Sequence, residues 1–358
     1  MTKLLVFELK KIFQRPLTRI SFAAVLLVSI ILLISTYQNK YAADGNGKEG
    51  RGRAAVEIDR EIAARYAGNL TDEKVRRMID ELMPKTDLHG LNAKYVFLNA
   101  TQSAVAARFV DLEGNWNGLK VSDVFGNEEI QIGYVDGWLG TSQDLTKVFL
   151  FLALMVMVMA APVFSGEYGG VDQIILSSRY GKTKCAAAKI IACTLSTFAM
   201  TFTVSLLHLG VAGILYGKEG LSCSILFSQL TYAEQYIPFN ISCRTLLCYQ
   251  VLLGFTGALG AAGLALLFSG VCKNQVMALV FSAFAYLFPV MLPVTESSPF
   301  FRLWILQPVY HAQLISLMSA GQVGERLLYA VWAVPAALLL AITGAILGKN
   351  AFARHKVA

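Results

Sequence analysis

Charged residues are clumped along this chain, and between the clumps run six predominantly apolar stretches without Asp, Glu, Lys or Arg, at 20–39, 148–166, 190–217, 245–272, 274–295 and 327–348. A hydrocarbon core about 30 Å thick takes roughly 20 residues of helix to cross, and each stretch is of that order and flanked by a charge. The pattern predicts an all-α polytopic membrane protein with six transmembrane helices. They are placed at 20–39, 147–166, 186–217, 245–272, 274–295 and 327–348. Residues 1–19, 40–146, 167–185, 218–244, 296–326 and 349–358 are left outside the spans.

A seventh charge-free stretch, 303–324, carries Gln307, Pro308, His311, Gln313, Ser316, Ser319 and Gln322, too many polar groups for a helix that faces lipid. Charge asymmetry agrees with leaving it out. With six spans and the amino end inside, the inner segments 1–19, 167–189, Lys273 and 349–358 hold 13 Lys and Arg against 3 acids, while the short outer loops 218–244 and 296–326 hold 4 Lys and Arg. That is the positive-inside pattern, and a seventh span would carry Lys349, Arg354 and Lys356 to the outside. Residues 303–324 are therefore expected to be interfacial or re-entrant, inside the outer loop 296–326. Both termini are expected in the cytoplasm, the tail being 349–358.

The segments between the spans are punctuated differently. Leu5, Leu9, Ile12 and Phe13 recur at helical spacing before Pro16, which suits a short helix along the inner surface or a charged lead-in to the first span. Five Lys and Arg precede the first apolar run, which is expected to act as its own insertion signal rather than as a cleaved leader. Residues 40–146, with 13 Lys and Arg and 17 Asp and Glu, are soluble by composition and predict a mainly helical extracytoplasmic domain. There Thr71 can cap a helix with Asp72 and Glu73 in its first turn and Val75, Met78, Ile79 and Leu82 on one face. Ala55, Ile58, Ile62 and Tyr66 predict another. Gly, Asn and Asp around Val121, Val124, Ile130, Ile132 and Tyr134 predict short strands or a hairpin within 114–137. Small residues Gly254, Gly257, Gly260, Ala261 and Gly263 mark a close helix contact on the fourth span, and Pro289 and Pro293 are expected to bend the end of the fifth.

Composition narrows the function classes. Of 358 residues 55% are hydrophobic and 15% charged, and the net charge is +7. The excess of base lies on the inner segments, where it sets topology and meets anionic lipid, so it does not call for nucleic acid. No HExxH is present, and His89, His208, His311 and His355 are scattered. Gly181-Lys182-Thr183 resembles the end of a phosphate loop but has Leu176 where the loop needs glycine. Any ATP-driven role therefore needs a second polypeptide, and the chain itself is expected to be no enzyme and to hold no cofactor or metal. Of six cysteines, Cys223 and Cys243 fall in the 218–244 region. A disulfide between them and two free thiols both remain open.

The inner loop 166–184, Gly166-Glu167-Tyr168-Gly169-Gly170-Val171-Asp172-Gln173-Ile174-Ile175-Leu176-Ser177-Ser178-Arg179-Tyr180-Gly181-Lys182-Thr183-Lys184, mixes acid, apolar and basic groups. Val171 to Ser178 can form a short amphipathic helix with Asp172 near its positive end, either a knob for a soluble partner or a tight connector. With the basic amphipathic start Phe7-Glu8-Leu9-Lys10-Lys11, the six spans and the following Lys189, this loop resembles that of permease subunits of ABC-2-type ATP-binding-cassette transporters, especially bacterial exporters with a large outer domain. Many members have a proline in the Ser-Pro-x-Ser-Arg portion, where this chain has Ser178-Arg179-Tyr180-Gly181.

The resemblance implies a coupling helix near 168–178 that contacts a separate ATPase subunit through Glu167, Tyr168, Asp172, Ile175, Leu176 and Arg179, with residues 1–19 as an elbow helix. It further implies a second permease subunit, identical or similar, in a cell membrane, and ATP and Mg bound by the partner. The expected function is export of an amphipathic or apolar substrate such as a peptide, lipid or drug. A membrane receptor or sensor that signals through its outer domain without transport is the alternative.

Overall fold

The computed structural model describes residues 1–84, 92, 94, 96, 98–178, 180–229, 237–292, 294–295, 298–313 and 329–354. The expectations for Arg179, His89, His355, Pro293, Lys356 and 314–324 lie outside them. The described residues are mostly helical: α1 Thr2–Gln14, α2 Pro16–Asn39, α3 Arg53–Arg65, α4 Asp72–Leu82, α5 Ala100–Phe109, α6 Val121–Phe125, α7 Asp136–Ala160, α8 Pro162–Ser165, α9 Val171–Ser177, α10 Ala186–Tyr216, α11 Ile225–Ser228, α12 Cys243–Val271, α13 Gln275–Met291, α14 Phe301–Trp304, α15 Pro308–His311 and α16 Tyr329–Arg354. Strands β1 Tyr41–Ala43, β2 Glu49–Arg51, β3 Gly68–Asn69 and β4 Gln131–Ile132 form two small antiparallel pairs, β1 with β2 and β3 with β4.

Among the described residues five helical segments are long and apolar enough to cross a membrane: Pro16–Asn39, Asp136–Ser165, Gly181–Tyr216, Cys243–Val271 and Val331–Arg354. The helix within the expected span 274–295 is shorter, 17 residues from Gln275 to Met291. Asn274 starts it, its side-chain oxygen accepting from the Val276 N–H at 2.8 Å, and Pro289 near its end has no N–H to donate to the Ala285 carbonyl. Four of the other helices, those from Pro16, Asp136, Ala186 and Cys243, begin before their apolar runs. The helix expected from 147 starts at Asp136 and includes Asp144 and Lys147, and the one expected from 186 is preceded by a π-helical turn, Gly181–Cys185, and includes Lys189. Asp144, Lys147 and Lys189 thus lie within these two helices, because hydrocarbon thickness limits the apolar run, whereas backbone hydrogen bonding continues past it.

The chain divides into two compact units, one of residues 1–29, 145–207 and 250–358, the other of 30–144 and 208–249. In the second, α3 and α4 form where the apolar spacing places them. Thr71 caps α4, its hydroxyl accepting from the Lys74 N–H at 3.2 Å. Ala55, Ile58, Ile62, Tyr66, Val75, Met78, Ile79 and Leu82 are buried in one core with Ala104, Val105, Ala106 and Phe109 of α5. Of the short strands or hairpin expected within 114–137, one short strand forms, Gln131–Ile132, but no local hairpin joins it to a neighbour among the described residues. Val121–Phe125 is a helix, and Gln131–Ile132 pairs with Gly68–Asn69 instead. An apolar residue seeking a core finds it as readily across a long separation as in a neighbouring turn. The same unit buries Lys40 against Asp59 at 3.0 Å and against Asp136, and these acids hold the Lys40 ammonium above its ordinary range despite burial. Asp144 accepts from the Thr36 hydroxyl at 2.5 Å.

The first unit is knit by close backbone approaches. Carbons built at Gly254, Gly257 and Gly260 would strike the Phe149 ring, His311 and Pro308, and one at Gly263 would lie 2.5 Å from the Ala341 Cα. The described part of 303–324 contains the end of α14 and all of α15. The Pro289 carbonyl, near the end of α13 where helical partners run out, accepts from the Trp304 indole at 2.7 Å and the Tyr310 hydroxyl at 3.1 Å. His311 is buried and its Nδ1 lies 3.0 Å from the Thr256 hydroxyl.

Candidate functional site

The segment linking α8 to α10 is positioned by groups that the sequence does not mark as a site. Helix α1 ends at Gln14 because Arg15 takes an extended conformation, as a residue before proline prefers, and Pro16 starts α2. On α1, Leu5, Glu8, Leu9 and Ile12 follow the i, i+3, i+4, i+7 spacing and form the more covered face, while Leu4, Val6, Phe7 and Phe13 are exposed. Phe13, expected on the apolar face with Ile12, thus lies on the open side, and an acid, Glu8, lies on the buried one.

Glu8 is buried because it meets Lys189. The Lys189 ammonium lies 2.9 Å from Glu8 Oε1 and 2.7 Å from Glu167 Oε1, and Lys11 makes a further ion pair with Glu167. Side-chain exposure is 1% for Lys189, 2% for Glu167 and 9% for Glu8, against 32% for Lys11. Two acids and two bases thus neutralise one another, joining α1 to the second residue after α8 and to the first turn of α10. Arg15 reaches the Pro162 carbonyl at 3.3 Å. Burial alone would push the Glu167 carboxyl up, but Lys189 and Lys11 outweigh it and hold the carboxylate below its ordinary range.

A depressed folded value fixes the sign of the pH dependence. The pairing stabilises the fold at neutral pH, weakens as pH falls past the ordinary carboxylate value of 4.5, and is gone below the folded value. The difference in thermal unfolding midpoint between the protein and its Glu167→Gln variant is expected to stay constant from pH 7 to pH 5 and to shrink below that. A gap that closes above pH 5 would contradict the pairing.

From this anchor the chain runs outward. The Tyr168 hydroxyl donates to the Gly270 carbonyl at 2.6 Å and its ring lies against Phe352, 5.7 Å between centroids. Gly169 takes φ +90°, the left-handed region that a side chain disfavours, and turns the backbone into α9. On α9 Leu176 is buried, Ile175 half-buried and Ile174 72% exposed. Asp172 is in α9 but its side chain, like all of Arg179, is outside the described residues. Beyond α9, Tyr180, Lys182 and Lys184 are exposed, with the Lys184 ammonium 4.1 Å from the Tyr180 ring centroid.

The chain matches no known protein-family model and no curated protein sequence. Among the described residues no group of three His, Cys, Asp or Glu side chains is placed to hold a metal ion. Of the six loop residues expected to meet a partner, Glu167, Tyr168 and Leu176 turn into the protein, and Ile175 is half-covered. The apolar group best placed for an outside contact is Ile174, which sequence reasoning left out. Its signal was faint: one more apolar residue in an amphipathic run. Glu8 and Lys189 were legible only as a lone acid in a basic helix and a lone base at the edge of a span. Cys223 and Cys243 are both free thiols and belong to a different part of the fold.

Proposed function

We propose that this chain is the membrane-spanning permease subunit of an ATP-binding-cassette exporter of the ABC-2 type. In this reading it sits in the cell membrane with both termini in the cytoplasm, beside a second permease subunit, identical or similar. Separate ATPase subunits bind ATP and Mg. The observation that carries the reading is the buried Glu8–Lys189–Glu167 cluster with Lys11: a short exposed helix, α9, is rooted through one residue to both an amino-terminal amphipathic helix and the base of a long apolar helix. A push on α9 is then passed to helices rather than absorbed by a loose connector.

Helix α13 serves as the remaining span. At 1.5 Å per residue its 17 residues cover about 26 Å, somewhat less than the hydrocarbon core. Its side chains Val276, Met277, Val280, Phe281, Phe284 and Phe288 are exposed, as a lipid-facing helix requires. The exposed Leu4, Val6, Phe7 and Phe13 of α1, interleaved with Lys3 and Lys10, suit an interfacial helix at the inner leaflet. The cargo is an amphipathic or apolar molecule, a peptide, lipid or drug. Nucleotide-driven closure of the ATPases shifts the permease between two states through α9.

Ile174, rather than the buried Glu167, is the contact to break. In mild detergent the tagged full chain is expected to co-purify with an ATPase, and Ile174→Glu is expected to weaken that association about tenfold or more, as loss of a central apolar anchor does, while the variant elutes as the parent does. Undiminished association would place the contact elsewhere. Recovery of the chain alone, where a control transporter stays assembled, would favour a receptor that signals without transport.

A further inference from the structure

Cys223 and Cys243 are brought face to face by backbone pairing. Ser224 and Ser242 form an antiparallel bridge, flanked by the Ile225 N–H donating to the Ile241 carbonyl and the Cys243 N–H donating to the Cys223 carbonyl, both at 3.0 Å. That register sets Cys223 directly opposite Cys243. Opposed residues joined by such a bond have Cα atoms about 5.5 Å apart and side chains on one face, within the span of about 4.4–6.8 Å that a disulfide bridges. We infer that Cys223 and Cys243 form a reversible disulfide that staples the hairpin between α10 and α12.

The described segments 223–229 and 237–243 are tied down by further hydrogen bonds. The Ser224 N–H donates to the Gln131 carbonyl at 2.8 Å and the Asn240 amide to the Glu129 carbonyl at 3.1 Å. The Arg108 guanidinium donates to the Leu226 and Phe227 carbonyls at 2.6 and 2.9 Å. Gln229 ties both sides, its amide donating to the Ile237 carbonyl and its oxygen accepting from the Ile237 N–H. Beneath the pair, a carbon built at Gly133 would lie 2.6 Å from Cys223 Sγ. Glycine at 133 leaves that sulfur its room.

Exposure decides the order of steps. Cys223 is half-buried and Cys243 fully buried. The Cys223 thiolate attacks one sulfur of an external disulfide of the glutathione class, whose S–S bond breaks and whose leaving thiolate takes up a proton. The Cys243 thiolate then attacks the Cys223 sulfur of the mixed disulfide and expels the second thiol. Two protein thiols are oxidised and one external disulfide is reduced to two thiols. Burial pushes the Cys223 thiol up, so the first step quickens as pH rises. None of this depends on the export reading, since the chemistry is read on the isolated chain.

The test uses purified full-length protein in detergent, equilibrated with oxidised glutathione, acid-quenched, denatured, alkylated and cut with trypsin. Cleavage after Lys218 and Arg244 releases both sulfurs on one peptide, residues 219–244. The staple predicts that this peptide is lighter by two hydrogens and takes no alkylating group, and takes two after dithiothreitol. Cys243→Ser is expected to trap glutathione on Cys223, while Cys223→Ser leaves Cys243 unmodified in the folded protein. A peptide that carries two alkyl groups, or glutathione without closure to the internal disulfide, after equilibration of the unsubstituted protein would overturn the inference.

Discussion

Lys189→Met is expected to lower stability by about 3–5 kcal/mol, the usual cost of leaving a buried charge without its partner. Among the described residues, the change removes the only ammonium that touches both Glu8 and Glu167 and leaves two carboxylates facing the same space, Glu8 with no other ion pair. Lys11→Ala, by contrast, removes a cation whose side chain is one-third exposed, and water can replace much of what is lost, so a change of about 1 kcal/mol or less is expected. Thermal unfolding in detergent of the two variants and of Glu8→Gln decides the matter. Combining Lys189→Met with Glu8→Gln should cost less than the sum of the single changes, because the second change removes a charge that the first has stranded. Equal effects at Lys189 and Lys11, or strict additivity, would mean that the cluster is a solvated surface pair and could not root α9.

Much of the architecture was legible because it rests on periods that burial enforces. The runs that begin near 20, 148, 190 and 245 all became long apolar helices, and Val75, Met78, Ile79 and Leu82 are buried where their spacing put them. Four helices start ahead of their apolar runs for a common reason. A charge such as Lys147 ends an apolar run but not a hydrogen-bond ladder, so α7 begins at Asp136. The β3–β4 pairing was invisible because Gly68 and Ile132 are distant in sequence and two-residue strands carry no alternation. The site was half legible. The loop 167–178 could be singled out by its mixture of residue types, but which of its side chains turn inward depends on Lys189 and Lys11, and a sequence does not say where a lysine's long arm ends. Glu167 therefore read as a contact for a partner, whereas its carboxylate is buried against Lys189 and Lys11.

Gly344→Ala is expected to destabilise the protein by about 1–3 kcal/mol, the range for overfilling a packed interior, although alanine is the better helix former. The reason is the partner. A carbon on Gly344 would run into the Gly263 carbonyl, one on Gly348 into the Leu266 carbonyl, and one on Gly270 into the Gly348 backbone, so α12 and α16 meet backbone to backbone along this seam. Lipid offers no hydrophobic drive to hold two apolar helices together, and close approach of small residues must do it through van der Waals contact. One methyl group holds the helices apart and weakens every contact along the seam. The same substitution at Gly210 or Gly213 of α10 meets nothing within 4 Å and is expected to be neutral or to stabilise by up to about 1 kcal/mol through helix propensity alone. Unfolding midpoints of Gly344→Ala and Gly210→Ala, measured in one detergent, should therefore move in opposite directions or differ by at least the cost at the seam. Equal shifts would mean that α12 and α16 are not in backbone contact. Sequence could mark Gly263 as a place where something comes close, since small residues cluster on that span. It could not say that the thing approached is the backbone of the last helix, because a glycine records that room is left and not what fills it.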